Sequence, residues 1–240
     1  MKLDIGQLWV YLSTTPLLWL TLTLLAYQCG DWLFTRSGAN PLCNPVLVTV
    51  SILVGLLAIS GTEYKTYFGG AQFVHFLLGP ATVALAIPLY RQIEAIKKSF
   101  LAIVIALLTG SLTAMGSAVG IAWMLGATKP VLLSLAPKSV TSPIAMGIAE
   151  QIGGIPSLTA VMVILTGIVG ATFGAWVLDR VRVKDDMARG LAFGVAAHGI
   201  GTARAMHLSP VSGAFAGLAM GLNGLATALL LPALVGLFGG

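Results

Sequence analysis

Eight apolar runs, each stopped by a charge or by a cluster of glycine and proline, leave this chain few ways to fold. They extend from about Pro16 to Phe34, Val46 to Ile59, Ala71 to Tyr90, Ser99 to Leu125, Val131 to Ile152, Leu158 to Leu178, Met187 to Met206 and Val211 to Phe238. A bilayer core about 30 Å thick is crossed by roughly 20 apolar residues in helical form, because every backbone group must be satisfied within the segment. Composition agrees: 57% of the 240 residues are hydrophobic and 9% are charged, whereas soluble domains carry about 25% charged residues. The expectation is an all-α, polytopic integral membrane protein, a single transmembrane domain over residues 1–240 with about 7–9 helical segments. The run at Val46 needs help from its flanks to span. The run from Ser99 is long enough to tilt or to break at its glycines.

The formal charge is +5, but the 13 basic residues are spread over short loops. That distribution speaks against nucleic acid and for the cytoplasmic leaflet as their partner. Arg91, Lys97 and Lys98 share one short loop, and Arg180, Arg182, Lys184 and Arg189 another, so both loops are expected to be cytoplasmic. An even number of crossings must then separate Lys98 from Arg180. That holds if Val131 to Ile152 re-enters without crossing, or if the long fourth run divides. Cys29 and Cys43 have neither metal-ligand spacing nor a disulfide framework. The opening MKLDIGQLWVYL has no basic start and no cleavage site, so no removed signal peptide is expected.

Sliding the sequence by 120 residues lays FLLGPATVALAIP over AAHGIGTARAMHL, placing Gly79 on Gly199 and Thr82 on Thr202, and NPVLVTVSILVG falls on ILTGIVGATFGA. A further match, STTP on VTSP, needs an offset of 127. The corresponding expectation is an inverted repeat of residues 1–120 and 121–240, an architecture that places substrate near mid-membrane at interrupted helices.

Polar groups inside apolar runs are costly unless they meet a partner or a cavity, so they carry the functional information. In LAPKSVTSPIA, Lys138, Ser139, Thr141 and Ser142 lie between Pro137 and Pro143, which disfavour helix and predict an unwound stretch. An ordinary loop carrying a lysine is the bland alternative. In AAHGIGTARAMHL, Gly199 and Gly201 permit a broken helix, Arg204 offers a charged fork for a carboxylate, and Thr202 a hydroxyl. Arg204 could equally snorkel to the interface near His207. His198 is a candidate proton carrier or a structural histidine. Thr82, between Pro80 and Pro88, holds the repeat-related position. Glu150 could pair with Lys138 or Arg204, carry a proton, or mark a helix end before Gly153. Asn223 reads as an interhelical hydrogen-bonding residue. Gly213, Gly217, Gly221 and Gly224 form a small-residue face for close helix packing, within the chain or in a homo-oligomer. No metal-ligand cluster, cofactor fingerprint or nucleophile motif stands out, so neither an enzyme nor a cofactor is expected.

The strings NPVLVTV, YFGGAQFVHFLLGPATVALAIPLYRQ, LAPKSVTSPIAMGIAEQIGGIPSLTAV and RGLAFGVAAHGIGTARAM closely resemble the LrgB/CidB family of bacterial membrane proteins, over roughly Asn44 to Pro232. The resemblance implies a multi-pass protein of the bacterial inner membrane. It implies two functions. Bacterial members are described as antiholin-like or holin-like proteins that modulate murein hydrolase activity and autolysis, with a small LrgA/CidA-type membrane partner. Another branch, the plastid glycolate/glycerate translocator, moves small hydroxy-carboxylates, and bacterial members are linked to pyruvate or acetate. A pore former does not need a fixed arginine or Pro-bracketed polar stretch, whereas a carrier does. The favoured expectation is therefore a secondary carrier of small monocarboxylates, possibly proton-coupled. Arg204 and Lys138 would hold the carboxylate, Thr82, Ser139, Thr141, Ser142 and Thr202 would bond it, and His198 or Glu150 would move a proton.

Overall fold

The computed structural model describes residues 15–38, 40–77, 80, 83–84 and 86–238, and these are helical apart from short connections. Four helices are long and apolar enough to cross a membrane. The chain is an all-α multi-pass membrane protein, and it forms two compact units, residues 1–84 and 85–240.

In the first unit, α1 (Pro16–Arg36), α2 (Pro45–Ser60) and α3 (Tyr64–Phe76) follow one another, with a 3-10 turn at Pro41–Cys43. Proline opens α1 and α2, where its missing N–H costs nothing. The Asn44 side chain caps α2, accepting from the Val46 and Leu47 amides at 2.9 and 3.3 Å. Gly61, in the left-handed region, ends it. Trp19, fully buried, meets the edge of Tyr67 at 5.8 Å. The apolar run from Ala71 to Tyr90 is not one helix. Its first part closes α3 at Phe76 and its last part begins α4 in the second unit. Thr82 lies outside the described residues, and so does the pairing of Thr82 with Thr202 on which the repeat rests.

The second unit contains α4 (Ala86–Arg91), α5 (Ile93–Lys98), α6 (Phe100–Met124), α7 (Lys129–Leu135), α8 (Ser142–Ile152), α9 (Pro156–Arg180), α10 (Asp186–Leu208) and α11 (Pro210–Phe238). The glycines of the fourth run do not break it, and α6 is continuous over 25 residues. Leu101, Ile105, Leu108 and Leu112 on its surface are exposed, as lipid contact requires.

Two of these segments turn back on themselves. α7 and α8, about 10 and 16 Å long, are each too short to cross. Non-helical residues 136–141 join them, as the flanking prolines demand. Ala136 packs with Ile148. Ser134 accepts the Ile155 amide at 2.7 Å and its carbonyl takes the Thr159 hydroxyl at 3.0 Å. The pair is thus a hairpin that leaves on the side it entered, which is the re-entrant alternative for this stretch.

The second reversal is inside α10. A straight helix would set Asp186 and Leu208 about 33 Å apart, and the few residues beyond Leu208 would not recover that distance. Yet the Ser212 hydroxyl donates to the Asp186 carbonyl at 2.9 Å. The helix folds back at His198, whose φ of 41° and ψ of −132° interrupt it.

α11 runs beside both hairpins and orders them. Near its start it meets α10 through Gly190 and Gly194, where any Cβ would collide with the Ser212 and Ala216 carbonyls. Near its end Leu231 packs with Ala136 and Ile148, and Ile152 and Val235 pack against that cluster. The two hairpins therefore approach along α11 from opposite ends. The expected glycine face of α11 is not a single interface: Gly213 abuts Met206, Gly224 abuts Ile144, and Gly221 has open space.

Candidate functional site

The hairpin tips meet at Asn223. This side chain is 1% exposed and sits about 16 Å along α11 from Ser212 and about 12 Å from Leu231. Its amide nitrogen donates to the Ser139 carbonyl in the first tip and to the Val195 carbonyl beside the second, each at 3.3 Å. Both acceptors belong to backbone disturbed by a break, where carbonyls lose helical partners and need another donor. An asparagine supplies two N–H groups on one atom and so closes both ends at once.

Polar groups gather around this junction. Lys138, half-buried, places its ammonium 3.4 Å from the Ser139 hydroxyl. Thr141 precedes α8 without capping it, so that helix begins at the tip with no hydrogen bond from its N-cap side chain. A helix start at this depth brings partial positive charge to the junction. Thr141 and Ser142 are both half-buried.

His198 is 4% exposed and forms the second tip. Its Nε2 lies 2.9 Å from the Val163 carbonyl, which only accepts, so Nε2 carries the proton. The ring lies over Gly167, where a Cβ would come within 2.7 Å of it. The Thr202 hydroxyl donates back to the His198 carbonyl at 2.8 Å, satisfying a group freed by the break. Val163, whose carbonyl accepts the His198 N–H, packs with Val140 and Ala145 of the first hairpin, so the two tips share a neighbour. The glycine pair predicted to break this helix works differently. The reversal falls on His198 itself, and Gly201 is where the returning arm presses on the outgoing one, 2.7 Å from the Phe193 carbonyl to a built Cβ.

Lys138, Ser139, His198 and Thr202 are thus brought together. Arg204 is half-buried on the returning arm, about 9 Å of helix beyond the break. Of the roles open to Glu150, the one seen is the end of a helix before Gly153. The residue is exposed in the last turn of α8, and its carbonyl takes the Gly153 amide that ends the helix. Asn223, expected as an interhelical hydrogen-bonding residue, makes those bonds at the junction, whereas Val163 and Gly167 belong to it without having been singled out. An asparagine inside the apolar run of α11 was the only signal pointing there. Among the described residues no group of His, Cys, Asp or Glu could hold a metal ion.

The chemistry open to such an arrangement is recognition of a small anion. It joins one cation, a helix start and short hydroxyls around buried backbone breaks.

The sequence matches the profile of the LrgB-like family over residues 23–237. It is 39% identical over 216 residues to the uncharacterized protein YwbG of Bacillus subtilis, covering 90% of this chain and 96% of that one. It is 33% identical over 220 residues to the antiholin-like protein LrgB of Bacillus mycoides and to that of Bacillus cereus, covering 92% of this chain and 96% of theirs. No solved structure matches.

Proposed function

Since the chain belongs to the LrgB-like family, a family of multi-pass inner-membrane proteins, we propose that it is an antiholin-like membrane protein that modulates murein hydrolase activity, working with a small LrgA/CidA-type partner. What carries this reading is the similarity to antiholin-like LrgB proteins along nearly their whole length. Their names speak of antiholin-like action and not of transport. The test is deletion of the gene followed by measurement of autolysis rate, with complementation by the intact chain and by Arg204→Ala. Restored autolysis control by the intact chain supports the reading; an autolysis rate indifferent to deletion overturns it.

A second reading is favoured by one observation, the meeting of two oppositely directed hairpin tips at Asn223, with Lys138 on the first and His198 on the second. In this reading the protein is a carrier of small monocarboxylates. Lys138, Ser139, Thr141, Ser142 and Thr202 bind the acid near mid-membrane. Arg204 draws the carboxylate along the returning arm. Hydrogen bonding to Val163 makes His198 chiefly the holder of its tip, and the exposed position of Glu150 leaves it little to do in proton movement. Effects on autolysis then follow from changed acid traffic. Uptake of labelled glycolate, pyruvate and acetate into proteoliposomes holding the protein alone tests it. Saturable uptake, reduced at least about tenfold by Arg204→Ala, is expected, and no uptake by folded protein overturns it.

A further inference from the structure

We propose that Lys138 couples the ligand to a proton: its amine takes up one H+ as a carboxylate binds beside it and returns that H+ when the carboxylate leaves, so that anion and proton travel together. The ligand class rests on the carrier reading; the assignment of the proton to Lys138 rests on what surrounds that side chain.

An ammonium inside a membrane needs a counter-ion or a full set of acceptors. The Lys138 side chain has one hydrogen bond among the described residues, to the Ser139 hydroxyl at 3.4 Å, although an ammonium has three donors. It forms no ion pair among them, and the pairs of Lys97 with Glu94 and of Arg189 with Asp179 lie in the basic loops. Nor does the second unit offer a carboxylate. Its Asp and Glu residues are Glu94, Glu150, Asp179, Asp185 and Asp186, all exposed. The elements packed around the hairpin are equally bare. α6 and α11, which reach it through Met115, Val119 and Leu231, have no titratable side chain along their lengths. α7, α8 and α9 carry theirs at the ends, at Lys129, Glu150, Asp179 and Arg180. α10 supplies His198 at its tip and Arg204 on its returning arm, with its other titratable groups near its ends.

The counter-ion absent from the protein is the one a ligand carboxylate would bring. Lys138 keeps part of its surface accessible, so a small acid can reach it. With the carboxylate in place the ammonium is answered. Without it the charge has no partner, and the amine can release it to water as H+. The other two candidates at the tips are committed. The Arg204 guanidinium keeps its proton, and buried His198 spends its Nε2–H on the Val163 carbonyl. The N–H bond formed on binding is the one broken on release, so each cycle moves one anion and one proton in the same direction and no net charge.

Calorimetry on the full chain in detergent, with acetate, pyruvate and glycolate in two buffers of different ionisation enthalpy, counts the protons taken up per ligand bound. A count of about one is expected at neutral pH, with affinity falling about tenfold per pH unit above it. Lys138→Arg is permanently charged, so its binding should take up no proton and lose that pH dependence. Lys138→Gln has no charge, so its affinity should fall at least about tenfold and any binding left should be proton-free. Melting temperatures check that each variant folds, and Lys138→Gln decides alone if Lys138→Arg does not. In proteoliposomes, uptake should follow an imposed pH gradient and be indifferent to a potential set with potassium and valinomycin. A count near zero in the unaltered protein overturns the proposal. So does a count near one that survives in either variant, since the proton then rides on the acid or on another residue. Proton-linked binding without uptake removes the carrier reading and leaves this one. Uptake driven by potential alone does the reverse, and failure to bind any of the three acids overturns both.

Discussion

A histidine at φ 41° and ψ −132° occupies backbone territory that suits glycine and costs other residues about 1–3 kcal/mol. His198 stays there because its ring is bonded to Val163 and seated on Gly167. Ordinary helix propensity favours alanine over glycine by about 1 kcal/mol. At this position the order should reverse: His198→Gly keeps a higher melting temperature than His198→Ala, and thermal unfolding of the two in detergent checks it. Gly201→Ala should cost about 1–3 kcal/mol in the same assay, because its Cβ would press on Ala197 and the Phe193 carbonyl. The sequence made HGIGTAR readable as a break, but not the residue that breaks. That choice is made by Val163, 35 residues away, and local sequence carries no trace of it. Asn223 was legible as a hydrogen-bonding residue for the same reason that its role was not: its acceptors come from two distant segments.

Among elements, the α7–α8 hairpin was legible and the α10 hairpin was not. Two prolines within seven residues leave little choice about residues 137–143. Met187 to Met206, by contrast, reads as a span that its glycines permit to break, and it is the His198 backbone and the contact of Ser212 with Asp186 that show a full reversal. A pair of substitutions tests it. With Cys29 and Cys43 replaced by serine, Asp186→Cys and Ser212→Cys should be joined by a short bifunctional thiol reagent, whereas a straight α10 predicts no product. In the other hairpin, Ser134 ties α7 to the start of α9 through Ile155 and Thr159. Ser134→Ala leaves the Ile155 amide without that acceptor and should lower stability by about 1–3 kcal/mol, seen as a lower melting temperature.

At the scale of the whole molecule, a re-entrant α7–α8 with an uninterrupted α6 gives two crossings, α6 and α9, between Lys98 and Arg180. The basic loops then share a side, which the distribution of lysine and arginine leads us to propose as the cytoplasmic one. In a cysteine-free background, Ser99→Cys and Lys184→Cys should both resist a membrane-impermeant thiol reagent in intact cells and both react in inverted vesicles. Helices and membrane class were legible because bilayer thickness imposes them on any sequence. The meeting of the tips was not, because it depends on how far along α11 each hairpin reaches. That meeting point, as a ligand site near mid-membrane, is the claim on which the carrier account stands. It is tested most directly at Ser139→Cys, a nearly isosteric change at the first tip, in the cysteine-free background. The account predicts that this thiol reacts slowly with a small water-borne reagent and that saturating glycolate slows the reaction severalfold. A reaction rate unchanged by glycolate, pyruvate and acetate alike would contradict it.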